Sequence, residues 1–181
     1  NECPEWDGAG LLETADKAAG RFSSLVLEFG TARAAGEWSA AYIKATEISA
    51  MANDTEIQKF ISDYEIREDR TRQELTGLFR GLCLPLSRQD RASLESALHP
   101  DADSLMLGTF LGDVEARLPA GKVLARRFEV LELCDPRLFE TSAKYRVRLK
   151  LRVSLENQDN RDVPLTVEAT VRKLDLVWRP M

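Results

Sequence analysis

Between Lys144 and Leu155 the chain alternates without a slip. Tyr145, Val147, Leu149, Leu151, Val153 and Leu155 are apolar, while Lys144, Arg146, Arg148, Lys150, Arg152 and Ser154 between them are basic or polar. Successive side chains of a β-strand point to opposite faces, so a period of two demands a strand with one buried and one wet face. On a helix the same residues would scatter around the whole cylinder and bury nothing.

The return strand follows a polar loop. Val163, Leu165, Val167, Ala169 and Val171 alternate with Thr166, Glu168, Thr170 and Arg172, which predicts an antiparallel hairpin. If Leu155 faces Val163, Lys150 lies opposite Glu168, a favourable pair. Arg146 then lies opposite Arg172, an unfavourable pair unless a carboxylate such as Glu129 or Glu132 is near. Leu174, Leu176 and Trp178 change phase, so a bulge or bend is expected near Arg172 and Lys173. Upstream, Phe128 to Leu133 reads as a strand with a phase irregularity, and Asp135-Pro136 as a turn.

Everything before Gly121 carries helical spacing. Asp7 and Gly8 open a first helix with Leu11, Leu12, Ala15, Phe22, Leu25, Val26 and Phe29 on its apolar side, punctuated by Gly30 and Gly36. A second helix places Trp38, Ala41, Tyr42, Ala45, Ile48 and Met51 on one stripe. The run Asn53-Asp54-Thr55-Glu56 is a helix start, with a capping oxygen and a nearby glutamate. The third helix then runs to about Leu82, stopped by Gly81 and Pro85, with a solvated, ion-paired middle from Glu65 to Glu74. Ser87 is expected to cap a short fourth helix ending at His99-Pro100. A fifth spans Asp103 to Arg117, with Leu105, Met106, Phe110, Val114 and Leu118 inward.

The class is therefore α+β. About five N-terminal helices over 7–118 pack on a C-terminal antiparallel sheet of three to four strands over 122–179, in a single domain of 1–181. At 181 residues, folding buries roughly 70% of the unfolded surface, so the core needs no metal or disulfide to complete it. Over roughly residues 87–181 the order of elements resembles the cystatin-like or NTF2-like arrangement, a curved sheet wrapped on helices. That resemblance rests on element order and carries no site residue.

Net charge is −5, and the chain holds no apolar run near the ~20 residues of a membrane-spanning helix. Whole-molecule attraction to nucleic acid is not expected, and aromatic residues do not interleave with the basic ones to stack bases. The chain begins Asn1-Glu2-Cys3-Pro4 and has three cysteines, Cys3, Cys83 and Cys134. A Cys3–Cys83 staple suits an exported protein, and a lipidated cysteine fits the same start, so a periplasmic or secreted setting is expected, with the cytoplasm as alternative. The competing reading is three reduced, buried thiols.

No catalytic constellation stands out. His99 is the single histidine and sits at a helix end, where its ring is expected to meet terminal carbonyls. Asp101 and Asp103 read as helix caps rather than calcium ligands. Cys83 lies among leucines and Cys134 beside Asp135, settings that hold a thiol protonated. No metal site and no cofactor are expected. Trp6, Trp38 and Trp178 read as core or edge packing; a strongly curved sheet would offer a pocket lined by Tyr145, Phe128 and Trp178.

One surface exceeds the background. Lys144, Arg146, Arg148, Lys150 and Arg152 project from one sheet face over about 27 Å of strand. The leading expectation is a non-enzymatic envelope or secreted binding protein that docks another protein or an anionic ligand, through this basic face or the helical body. The alternative is a small-molecule binder or enzyme with a pocket between sheet and helices. A sheet face completely filled by helices defeats the alternative, and a remaining cavity favours it.

Overall fold

A computed structural model gives the fold for residues 8–175 and 177–181, with side chains described from residue 12 onward except at 104 and 176. Five helices precede four strands: α1 Gly8–Ala34, α2 Trp38–Met51, α3 Thr55–Arg88, α4 Arg91–Ala97, α5 Ser104–Ala116, β1 Val123–Leu138, β2 Ser142–Leu155, β3 Arg161–Leu174 and β4 Val177–Pro180. The order and type of elements match the α+β expectation. Asp7, Trp6 and Cys3 lie outside the described residues, and with Cys3 the expected Cys3–Cys83 pairing. The chain divides into two compact units, Asn1–Ile66 and Arg67–Met181. The division falls inside α3, not at the change from helix to strand.

In the first unit, α1, α2 and the start of α3 share a core of Leu25, Ala41, Ala45, Ile48, Ile57 and Phe60. The fully buried Ala41 and Ala45 let the helices approach closely, and Phe60 closes the centre. Its ring meets Phe29 edge-on at 5.0 Å and stacks under Trp38 at 5.9 Å, the geometries that ring quadrupoles favour. Gly36, at φ 70°, takes the left-handed conformation that lets the chain leave α1 and enter α2. Asp54 caps α3, its Oδ1 accepting from the amides of Glu56 at 2.8 Å and Ile57 at 3.1 Å.

In the second unit the sheet is a curled, antiparallel half-barrel of order β1-β2-β3-β4. The alternation of β2 appears without exception: residues 143, 145, 147, 149, 151, 153 and 155 are buried, and no residue between them is. The β2–β3 register differs from the expected one. Leu151, not Leu155, faces Val163; Arg146 faces Glu168, Lys150 faces Pro164 and Arg152 faces Asp162. The connection is 156–160, shorter than the polar run from Glu156 to Asp162 suggested, because β3 already begins at Arg161; Asn157 takes φ 58° in the turn. The repulsive Arg146–Arg172 pair therefore never forms.

Two other strand expectations are corrected. Asp135-Pro136 does not end β1; it is an irregularity within the strand, Asp135 taking φ 52°, and the turn comes at 139–141. The bulge or bend expected near Arg172 and Lys173 is instead a tight hairpin just after Leu174, with Asp175 at φ 50°. The irregular phase expected in β1 is present as a register shift between Val130 and Glu132, which leaves Leu131 exposed.

Among the helices, α3 does not stop at Gly81 or Pro85 but continues to Arg88. Proline costs one amide bond within a helix, and here it falls in the last turns. Ser87 there donates its hydroxyl to the Cys83 carbonyl at 2.6 Å and accepts the Phe128 amide at 3.0 Å, tying the helix end to β1. Ser87 is thus no N-cap; Asp90 caps α4, accepting from the Ser93 amide. The polar middle of α3 does carry Arg72–Glu68 and Arg70–Glu74 pairs, yet Thr71 within it and Leu75 just after it are buried.

Candidate functional site

The basic face is displayed as expected and closely matched by carboxylates. Asp135 lies 2.7 Å from Arg146, Glu132 3.0 Å from Arg148, Glu129 2.9 Å from Lys150, and Asp162 2.9 Å from Arg152. The anions come from β1 on one side and β3 on the other, placed by the two registers. Arg152 grips Asp162 with two guanidinium nitrogens. That hydrogen bond holds the Asp162 carboxyl below its ordinary range, as Lys150 does for Glu129. Lys144 faces Arg137 of β1 and Thr170 of β3. Four of the five cations thus form a ladder of ion pairs across the strands, and pairs this exposed are worth little singly.

The remaining residues singled out from sequence are dispersed. His99 is buried; its amide donates to the Pro180 carbonyl at 2.8 Å and its Nδ1 accepts from the Asp101 amide at 3.2 Å. The carbonyls at the end of α4 go instead to Arg179, whose guanidinium donates to Ser96 at 3.0 Å and Leu98 at 3.4 Å. Asp101 pairs with Arg172, and Asp103 caps α5 through the Leu105 amide. Burial pushes the Cys83 thiol up, with Glu129 adding to it; at Cys134 desolvation does the same, with Glu132 and Asp135. Tyr145, Phe128 and Trp178 are buried core residues; Trp178 borders a recess beside Glu74, and Tyr145 a different one beside Arg146. Among the described residues no cluster of metal-ligating side chains occurs, and no helix is long and apolar enough to cross a membrane.

The feature that sequence reasoning placed only in general terms lies on the inner side of the sheet. There α5 sits over β3 without filling the space beneath it. Its sequence, Leu105-Met106-Leu107-Gly108-Thr109-Phe110-Leu111, is apolar on more than one side, a pattern that normally marks a buried helix. Yet Leu105 is 75% and Met106 61% exposed, contrary to the expected inward stripe; Phe110 is half-buried, and Val114 is buried. Gly108 and Gly112 have nothing within reach of an added Cβ.

Two cavities result. One, of about 200 Å³, is walled by Phe79, Leu82 and Leu86 of α3, Leu94 and Leu98, Met106 and Phe110 of α5, and Val147, Leu149, Val167 and Ala169 of the sheet. Asp103 and Glu168 are its charged residues. The second, of about 320 Å³, lies between the α5 residues Met106, Thr109, Phe110 and Asp113 and the β3 residues Leu165 to Glu168, with Arg117 at one end. Met106, Phe110, Val167 and Glu168 border both, so the two form one interrupted groove.

A separate polar recess of about 240 Å³ is bordered by Arg67, Arg70, Thr71, Glu74, Lys173 and Trp178. Burial pushes the Glu74 carboxyl up, but the Trp178 indole, donating at 2.8 Å, and Arg70 outweigh it and hold it below the usual range.

A scan against protein-family models finds no match, and neither the curated proteins nor the solved structures contain one. The functional reading therefore rests on this geometry.

Proposed function

We propose that this protein works by binding, and that its ligand occupies the apolar groove between α5 and β3 rather than the basic outer face. The observation that carries the reading is α5 itself, an apolar helix laid over a sheet with space left beneath Met106 and Phe110. Ligand sites are concave, mainly apolar and edged by a few polar groups. Aliphatic and aromatic walls with Asp103 and Glu168 at the margin answer that description, and selective retention of an apolar body is the chemistry they provide. The outer face is less suited, because four of its five cations already hold carboxylates that a partner would have to displace.

The test is a titration with Nile red, a neutral apolar fluorophore, against the intact chain and the variants Met106→Trp and Arg146→Glu/Arg148→Glu. Saturable binding that Met106→Trp abolishes and the double charge reversal leaves unchanged is expected. Binding that survives the filled groove, or that depends on the arginines, places the site elsewhere.

A further inference from the structure

The groove does more than touch the inner face of β3. Its β3 border comprises Leu165, Thr166, Val167, Glu168, Ala169 and Thr170 in unbroken succession. Alternate residues of a strand point to opposite faces, so a space that meets six consecutive residues runs along the strand's edge and faces its backbone. The direction of that backbone follows from two hydrogen bonds. The Thr170 carbonyl accepts the Met181 amide at 2.8 Å, away from β2, and the Lys173 amide donates to Thr141, towards β2. In an antiparallel ladder a residue's N–H and C=O point to the same side and alternate along the chain. Thr166 and Glu168 therefore share the orientation of Thr170 and direct their amides and carbonyls into the groove. Pro164 has the same parity, and a proline belongs where the missing N–H would face outward from an edge. Among the described residues β4 pairs with β3 only over 171–174, and the stretch from Leu165 to Thr170 is the part that α5 faces across the groove.

We propose that the groove accepts an extended segment of a partner protein, which adds a strand in line with β4 to the edge of β3 that is unpaired among the described residues. The inference rests on the binding role proposed for the same groove and names its occupant. An added strand would offer ladder bonds to Thr166 and Glu168, continuing the site that Met181 already uses at Thr170. Its inward side chains would meet Met106, Phe110 and Val167. Asp103, Asp113 and Glu168 border the groove against one cation, Arg117, so the complementary segment alternates apolar residues with basic ones. Affinity from main-chain pairing, with selectivity from alternate side chains, is the physics of strand addition.

The experiment uses a short fluorescein-labelled peptide of alternating valine and lysine, the same peptide N-methylated at every peptide bond, and Nile red. Saturable binding of the first, weakened about tenfold or more by methylation through loss of ladder bonds, is expected. Slowed exchange of the Thr166 and Glu168 amides should accompany binding. Thr166→Pro should abolish it, and Glu168→Lys, which keeps the backbone, should weaken it and shift preference to a valine–glutamate peptide. Equal binding of the methylated peptide, or binding of Nile red but neither peptide, overturns strand addition and leaves the groove an apolar small-molecule site. Binding of none removes the groove as a site altogether. Protection of the same amides by self-association without peptide makes a second copy the occupant and also overturns the proposal.

Discussion

The two faces of strand β2 come from one alternating sequence, and they settle their chemistry in different ways. On the outer face each cation from Arg146 to Arg152 has a carboxylate within 3.0 Å, supplied by whichever neighbour the register sets beside it. On the inner face burial is uneven. The inward residues of β2 are buried throughout, Val147 and Leu149 included, whereas their β3 neighbours Val167 and Ala169 are only half-buried beside the groove that α5 leaves open. A conspicuous charge pattern is thus balanced within the fold, and an ordinary apolar pattern is not fully covered. Abundance of a residue type says less about a binding surface than whether its demand for partners is met.

The comparison breaks most readily at the packed half of the inner face. Leu151 is fully buried, and Leu151→Ala should cost about 2–5 kcal/mol, read as a large drop in the denaturation midpoint. Met106→Ala in the groove should change stability by no more than about 0.5 kcal/mol, because so little of that side chain is covered. Similar costs would mean that α5 packs as firmly as the β1 side. Next in size is Ser87→Ala, which leaves the half-buried Phe128 amide without its acceptor and should cost about 1–3 kcal/mol in urea unfolding.

Smaller effects are expected on the outer face. Replacing Arg152 with Met should lower the melting temperature only slightly, and the difference should vanish in about 1 M salt, where screening removes most of an exposed pair's attraction. Acid should act in the same direction. The carboxyls of Glu129 and Asp162 are held below their unfolded values, so the stability they contribute is present above about pH 4 and is lost as the pH falls through their folded pKa values. A melting series through that range should show a decline, and replacing both acids by their amides should flatten it.

Much of this was legible in the chain. The period of two from Lys144 to Leu155 set the face of every residue in β2, and five helices followed from spacing and caps such as Asp54 and Asp103. The register was not legible, since alternation is preserved by any shift of two residues, and the actual pairing at Leu151–Val163 moved Glu168 from Lys150 to Arg146. Pro85 misled because a proline removes one amide bond without having to end a helix, and Ser87 ties the last turn to β1. Asp135-Pro136 reads equally as a turn or a bulge. The groove left one signal in the sequence, an α5 that is apolar on more sides than a single buried face requires; how far it stands from β3 is set by packing that no local pattern records.

The most direct measurement is an amide chemical-shift titration of the intact chain with the alternating valine–lysine peptide. Shifts confined to Met106, Phe110 and the run from Leu165 to Thr170 are the expected result. Shifts concentrated on Lys144 to Arg152 instead, with the groove unmoved, would contradict the assignment of binding to the inner side of the sheet.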